Sequence, residues 1–275
     1  MPVEMLAAGL GLATPLLLGA LGAILAERGG SYALSLEGQM LAGALAAAAV
    51  AGPLGVGAAM AAGLAVAGVA GFVTTRCQGD QLATGIAVNL LVLGLAGMLV
   101  PLLPALTSGG PGPNGFTWLG LLLVPVLAIG LGHSAPGLAL RATGEDPAAV
   151  AAAGLRPARI RALGMLAGGL LGGLAGAALA LQQDGGITGS VTGGRGYLAL
   201  AVVIVGRWRP GATLLACLGF GGAEALLLPA GGVMAQVAPY GLALLALALF
   251  GRRAGRPAAL GWPIGGRATA PSPLR

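Results

Sequence analysis

The chain has 275 residues, 57% of them hydrophobic in type and 8% charged, far below the ~25% charged content of soluble domains. That balance excludes a soluble globular enzyme and defines an all-α, polytopic membrane protein with about 8 to 10 transmembrane or re-entrant helices. The net charge is +6 and every basic residue is Arg, so a GxxxxGK[ST] phosphate loop is impossible and nucleotide-driven work falls to a partner. The arginines stand at span ends and not in a basic patch with interleaved aromatics, which argues against nucleic acid.

The first apolar run, 5 to 26, is preceded by Glu4 where a signal peptide has a basic n-region, and it is long enough to span. It reads as the first helix. Further runs lie at 36 to 52, 54 to 75, 81 to 104, 118 to 140, 162 to 181, 196 to 208, 210 to 229 and 236 to 251. Two of them, 36 to 52 and 196 to 208, are short for a hydrocarbon core ~30 Å thick and are expected to be tilted, broken or re-entrant. Within the run at 162 to 181, Gly168, Gly172 and Gly176 form one row and Gly169 and Gly173 another. Such spacing lets backbones approach closely, inside one subunit or across a dimer face. Cys77 and Cys217 belong to no CxxC or Cys/His cluster and read as ordinary buried thiols; no metal or cofactor is expected.

Polar side chains inside spans are expensive and mark candidate functional positions. Asn89, with Gln81 and Thr84 nearer the helix start, lies in DQLATGIAVNLLVLG. Asn89 has the donors and acceptor to meet a sugar hydroxyl or a base edge, or to bond a neighbouring helix with no ligand involved. Glu37, at the start of the second run, suits a structural or gating role. These four residues form the candidate substrate path. Glu224, Arg195 and the single His133 receive no role, since one His without a partner makes neither a metal site nor a triad.

The interval Arg141 to Arg161, RATGEDPAAVAAAGLRPARIR, is a polar island between apolar runs. Asp146 suits an N-cap and Pro147 the first helical position. Ala148, Ala149 and the following alanines propagate a helix, Gly154 suits a left-handed C-terminal residue, and Pro157 stops continuation. A piece of roughly 12 Å is too short to span and is a docking element or a loop. If this island is cytoplasmic, alternation puts all arginines except Arg195 on its side, which predicts an outside N-terminus and a cytoplasmic C-terminus. The expected organisation is a transmembrane domain over 1–255, with its cytoplasmic loop at 141–161, and a disordered, Pro- and Gly-rich cytoplasmic tail over 256–275.

Four stretches together carry a family resemblance: TPLLLGALGAILAERGGSYALSLEGQMLAGA from Thr14, GDQLATGIAVNLLVLGL from Gly79, LRATGEDPAAVAAAGL from Leu140 and GRGYLALAVVIVGRWRPGATLLACLGFGGAEAL from Gly194. In this order they resemble the inner-membrane permease subunits of ABC importers in the branched-chain amino acid, simple sugar and nucleoside group, especially the shorter permease of nucleoside and sugar systems. The resemblance implies a transporter subunit and not an enzyme, with ATP hydrolysis in a separate ATP-binding subunit. It further implies a second related permease and an extracytoplasmic substrate-binding protein as partners. Gly144, Glu145, Asp146, Pro147, Ala148, Ala149 and Gly154 would then belong to the coupling helix that docks on the ATPase. Tyr32, Ala33 and Ser35 depart from the family pattern, as does Asp146 where Asn is common, although the latter keeps the capping chemistry. The alternative is a stand-alone secondary carrier or channel, which predicts transport without ATP.

The topology is checked by thiol labelling. In a background lacking Cys77 and Cys217, a cysteine at Gly186 labels from outside and one at Ala254 from inside; labelling of both from one side breaks the assignment.

Overall fold

Inside a bilayer each backbone amide and carbonyl needs a partner within the protein, so apolar runs bounded by Gly, Pro and Arg close on themselves as helices. The computed structural model describes residues 2–50, 52–102, 113–182, 191–227, 232–251 and 255–263. Among these residues the elements are α1 (Pro2–Arg28), α2 (Leu36–Ala49), α3 (Pro53–Thr75), α4 (Gln81–Leu99) with a 3-10 turn at Val100–Leu102, and α5 (Pro113–His133). They continue with α6 (Ala135–Glu145), α7 (Pro147–Ala152), α8 (Pro157–Ala180), α9 (Arg195–Val205), α10 (Pro210–Leu227) and α11 (Gly232–Phe250).

Six of these helices, α1, α3, α4, α5, α8 and α10, contain segments long and apolar enough to cross a membrane. The two short runs emerge as the short helices α2 and α9, 14 and 11 residues long. The run at 118 to 140 is divided, because Ser134 caps α6 through Gly137 N at 3.2 Å and Pro136 supplies no amide at its start. Cys217 is buried as expected, whereas Cys77 is exposed in the turn after α3.

Helices α1 and α8 form the centre: 72% and 67% of their spans are buried, against 28% for α3, α4 and α5. α8 packs against α1, α2 and α3, and α1 also meets α5, α9 and α10. Both glycine rows of α8 are used within the subunit. A Cβ on Gly168 would stand 2.7 Å from the carbonyl oxygen of Gly22 in α1, and one on Gly172 would stand 2.6 Å from the Gln39 side chain in α2. On the other row, Gly173 lies so close to α3 that a Cβ would overlap the Ala59 carbonyl. Lipid tails are as apolar as Leu, so this close backbone approach drives association where the hydrophobic effect does not.

The expectation of a disordered tail fails for its first part. Residues 255–263 form turns with Pro257, Ala259 and Leu260 buried. Low apolar content argued for disorder, but this segment is held through its carbonyls and amides by a buried Arg on α8, described below, and such polar anchoring leaves no hydropathy signal. Residues 264–275 lie outside the described residues.

Helix packing of this kind makes a sharp contrast between glycines. Gly173→Leu is expected to lower the yield of monodisperse subunit in detergent roughly fivefold or more by overpacking. Gly57→Ala, at a position where nothing lies within 4 Å of the added Cβ, leaves it unchanged or raises thermal stability.

Candidate functional site

Between α1 and α2 the chain enters the bundle without regular helix. Residues 31–33 have no regular structure and run beside the first turns of α4. Tyr32 N donates to Gln81 Oε1 at 2.9 Å, and Asn89 Nδ2 donates to Leu34 O at 2.7 Å. Gln81 and Asn89 are about 12 Å apart along α4, so this segment climbs from the bundle end toward its interior before α2 begins. Thr84 is buried on the same helix, beside Gly79.

Non-helical backbone at that depth is stable only where protein groups replace water. Ser35, at the N-cap of α2, makes no side-chain capping bond, and Asn89 acts in its place. Its Oδ1 accepts from Gly38 N at 2.8 Å, satisfying an orphan donor of the first turn. Its second Nδ2 hydrogen goes to Tyr197 Oη of α9 at 2.9 Å. Asn89 is 6% exposed.

Glu37 performs the same task for α9. Gly194, the N-cap, has φ +85° and offers no side chain. Glu37 Oε1 accepts from Thr192 Oγ1 at 2.6 Å and Gly194 N at 2.9 Å, and Oε2 accepts from Gly196 N at 2.7 Å. A carboxylate there neutralises the positive end of the helix with charge-assisted bonds. The N-termini of α2 and α9 therefore meet at one polar junction. Arg195 of α9 pairs with Glu224 of α10 at 2.6 Å, and the Tyr240 hydroxyl of α11 donates to Gly193 O.

The far end of α9 is pinned as firmly. Arg207 and Trp208 both adopt positive φ, 56° and 53°, a conformation costing non-glycine residues about 1–3 kcal/mol each. Three hydrogen bonds to the end of α1 hold Trp208. Trp208 Nε1 donates to Glu27 Oε2 at 2.6 Å, and its carbonyl accepts from Arg28 Nε and Nη2 at 3.1 and 3.0 Å.

At that same end lies the polar island. Asp146 Oδ1 accepts from Ala148 N at 2.9 Å and Ala149 N at 3.1 Å, with Pro147 in the first turn of α7. Gly154 has φ +81°, and the bonds Gly154 N to Ala151 O and Leu155 N to Val150 O at 3.0 and 3.2 Å close a Schellman motif. The capping expected from sequence is therefore present at both ends. Val150 alone on α7 is buried, leaving an alanine face exposed. Gly144 is buried against α1, where a Cβ would overlap the Arg28 carbonyl, and Glu145 Oε2 accepts from Ala258 N at 3.4 Å.

The structure thus brings Gln81, Asn89 and Glu37 together along one re-entrant segment, but gives each an intramolecular partner. Their polar atoms hold backbone that the membrane would otherwise leave unsatisfied. Sequence reasoning missed Tyr197, Tyr240, Glu27, Trp208 and Arg161. The one signal available was the presence of Arg195 and Glu224 in neighbouring runs, opposite charges that a bilayer forces to pair. His133 ends α5 and is exposed. Among the described residues, no three His, Cys, Asp or Glu side chains gather as metal ligands.

Two short helices inside a bundle, with their N-termini meeting at one polar junction, resemble the half-helix sites of membrane transport proteins. The chain belongs to the family of permease components of branched-chain amino acid transport systems, whose family model matches residues 5–251. It is a permease subunit and a multi-pass protein of the cell membrane. It is 33% identical to a guanosine ABC transporter permease of Bacillus subtilis over 91% of this chain and 93% of that one. It is also 33% identical to a putative glucose ABC transporter permease of Haloferax volcanii, over 78% of this chain and 74% of the relative. A nucleoside ABC transporter permease of Lactococcus lactis is 29% identical over 86% and 89% of the two chains. No solved structure matches.

Asn89→Leu orphans Gly38 N and Leu34 O, at a cost of about 1–3 kcal/mol for each group. Thermal unfolding of the purified subunit is expected to fall by roughly 5–10 °C together with uptake. An unchanged melting temperature would return Asn89 to a ligand role.

Proposed function

We propose that this chain is the membrane-spanning subunit of an ATP-driven importer for nucleosides or simple sugars. It would pair with a second related permease, with ATP-binding subunits on the cytoplasmic side and a substrate-binding protein outside. The guanosine, nucleoside and glucose permeases among its relatives support that cargo class. The observation that carries the coupling is α7, a six-residue helix capped at both ends whose exposed face is alanine. Its bonds fix its shape, while its small side chains leave its surface free to fit a cleft.

In this reading the end of the bundle bearing Arg28, Arg161, Trp208 and α7 is cytoplasmic, with the N-terminus outside and the C-terminus inside. Closure of the ATPases displaces Gly144 to Gly154. α6 and α8, which flank α7, carry the displacement into the bundle. The substrate path passes the junction of α2 and α9, where exposed Tyr197 presents an aromatic face and a hydroxyl suited to a sugar or base. Glu37, Thr84, Gln81 and Asn89 border this path and set its shape through the backbone they hold. The polar junction thereby alternates its access between the two sides. The chemistry of ATP belongs to the partner.

Gly154→Val tests the coupling helix cleanly. No atom lies within 4 Å of a Cβ at this position, so the change acts only through the strain of φ +81° on a β-branched residue, roughly 1–3 kcal/mol. The variant is expected in the membrane at near-normal level, with ATPase co-purification and uptake both strongly reduced. A normal complement of ATPase with wild-type uptake would remove α7 as the coupling element. Competition of uptake by unlabelled guanosine and glucose distinguishes the two cargo classes.

A further inference from the structure

Arg161, in the first turns of α8, is 1% exposed and is the largest of the fully buried side chains. Every hydrogen bond it makes is to a backbone carbonyl: Nε donates to Gly29 O at 3.1 Å, Nη1 to Trp262 O at 2.7 Å and Nη2 to Ala259 O at 3.3 Å. A buried guanidinium with no carboxylate partner is costly unless its fork is filled, and two of its three acceptors come from the C-terminal segment. That segment has further bonds on two sides. Toward the coupling region, Ala259 N donates to Gly144 O at 2.8 Å and Ala258 N reaches Glu145 Oε2 at 3.4 Å. Toward the re-entrant segment, Gly261 N donates to Gly30 O at 3.1 Å, Trp262 O accepts from Gln81 Nε2 at 3.3 Å, and Gly261 lies against the Tyr32 ring.

We propose that residues 255–263, seated by Arg161, are a fixed strut that carries displacement of the coupling region to the re-entrant segment and so to the polar junction of α2 and α9. This rests on the assignment of α7 as the ATPase-docking helix. The geometry favours a strut because α6 meets the chain at Arg28 and Gly30, at the end of α1, while the C-terminal segment bonds α6 and also reaches Tyr32 and Gln81 further along. The C-terminal segment touches both places at once. Gln81, already bonded to Tyr32 N through Oε1, completes the connection by donating to Trp262 O from Nε2. Arg161 and Gln81 are therefore positioning residues for transport and contact no substrate.

The test uses the whole transporter in proteoliposomes, with ATP hydrolysis and uptake measured side by side. One variant ends the chain after Gly255. A second, Gly261→Val, leaves the chain whole but places a β-branched residue at φ +85° with its Cβ against the Tyr32 ring, so the segment cannot seat. Both are expected to retain the ATPase and hydrolyse ATP, while uptake per ATP falls about tenfold, within the 5- to 150-fold range of coupling between sites. A third variant joins Glu145→Cys to Ala258→Cys in a background lacking Cys77 and Cys217; uptake by its oxidised, disulfide-linked form should equal uptake by the same variant reduced, since a strut stays seated throughout the cycle. Unchanged uptake per ATP in both unseated variants overturns the strut, and so does loss of uptake on cross-linking. If the ATPase still binds and couples normally to Gly154→Val, it is the assignment of α7 that fails.

Discussion

The requirement that backbone polar groups be satisfied without water governs this molecule more than any side-chain packing. Regular helices meet it internally, but the chain departs from regular helix at the entry to α2 and at the entry to α9. Each entry is closed by one polar side chain borrowed from another element: Asn89 from α4 closes the first, and Glu37 from α2 closes the second. The two are consecutive links, because the helix whose start Asn89 stabilises is the helix that carries Glu37. Loss of either leaves amides or carbonyls without their protein partner.

The same requirement explains why a charged residue is buried so fully at the other end. Arg161 has five donors in a rigid fork and, among the described residues, no carboxylate bonded to it. It gathers carbonyls from the α1 terminus and from the C-terminal segment, converting stretches with little apolar content into ordered structure. Arg28 does likewise with the Trp208 carbonyl. Arginines near a membrane end are usually read as topology signals. Here two of them are also the fasteners of the bundle.

These fasteners give the subunit a mechanical plan. α9 is tied to α1 at its C-terminal turn and to α2 and α4 at its start, so it moves with the re-entrant segment. The glycine rows of α8 hold α1, α2 and α3 at backbone contact, which leaves little room for sliding. The junction of α2 and α9 is polar, partly exposed and built from five helices.

Much was legible from local chemistry. The caps of α7 depend on Asp146, Pro147 and Gly154 acting on their own neighbours, and helix ends of this kind are read within a few residues. The run lengths marked α2 and α9 as too short for a regular span, because span length is a one-dimensional constraint set by bilayer thickness. The roles of Asn89 and Glu37 were not legible, since a polar residue in an apolar run looks the same whether it faces a ligand or a distant backbone amide. Nor was the order of residues 255–263, whose anchor lies about a hundred positions away in Arg161. Composition, periodicity and caps set which segments are helices and that they live in a membrane. Only the folded chain settles which carbonyl fills which donor, because that pairing depends on approach in space between segments remote in sequence.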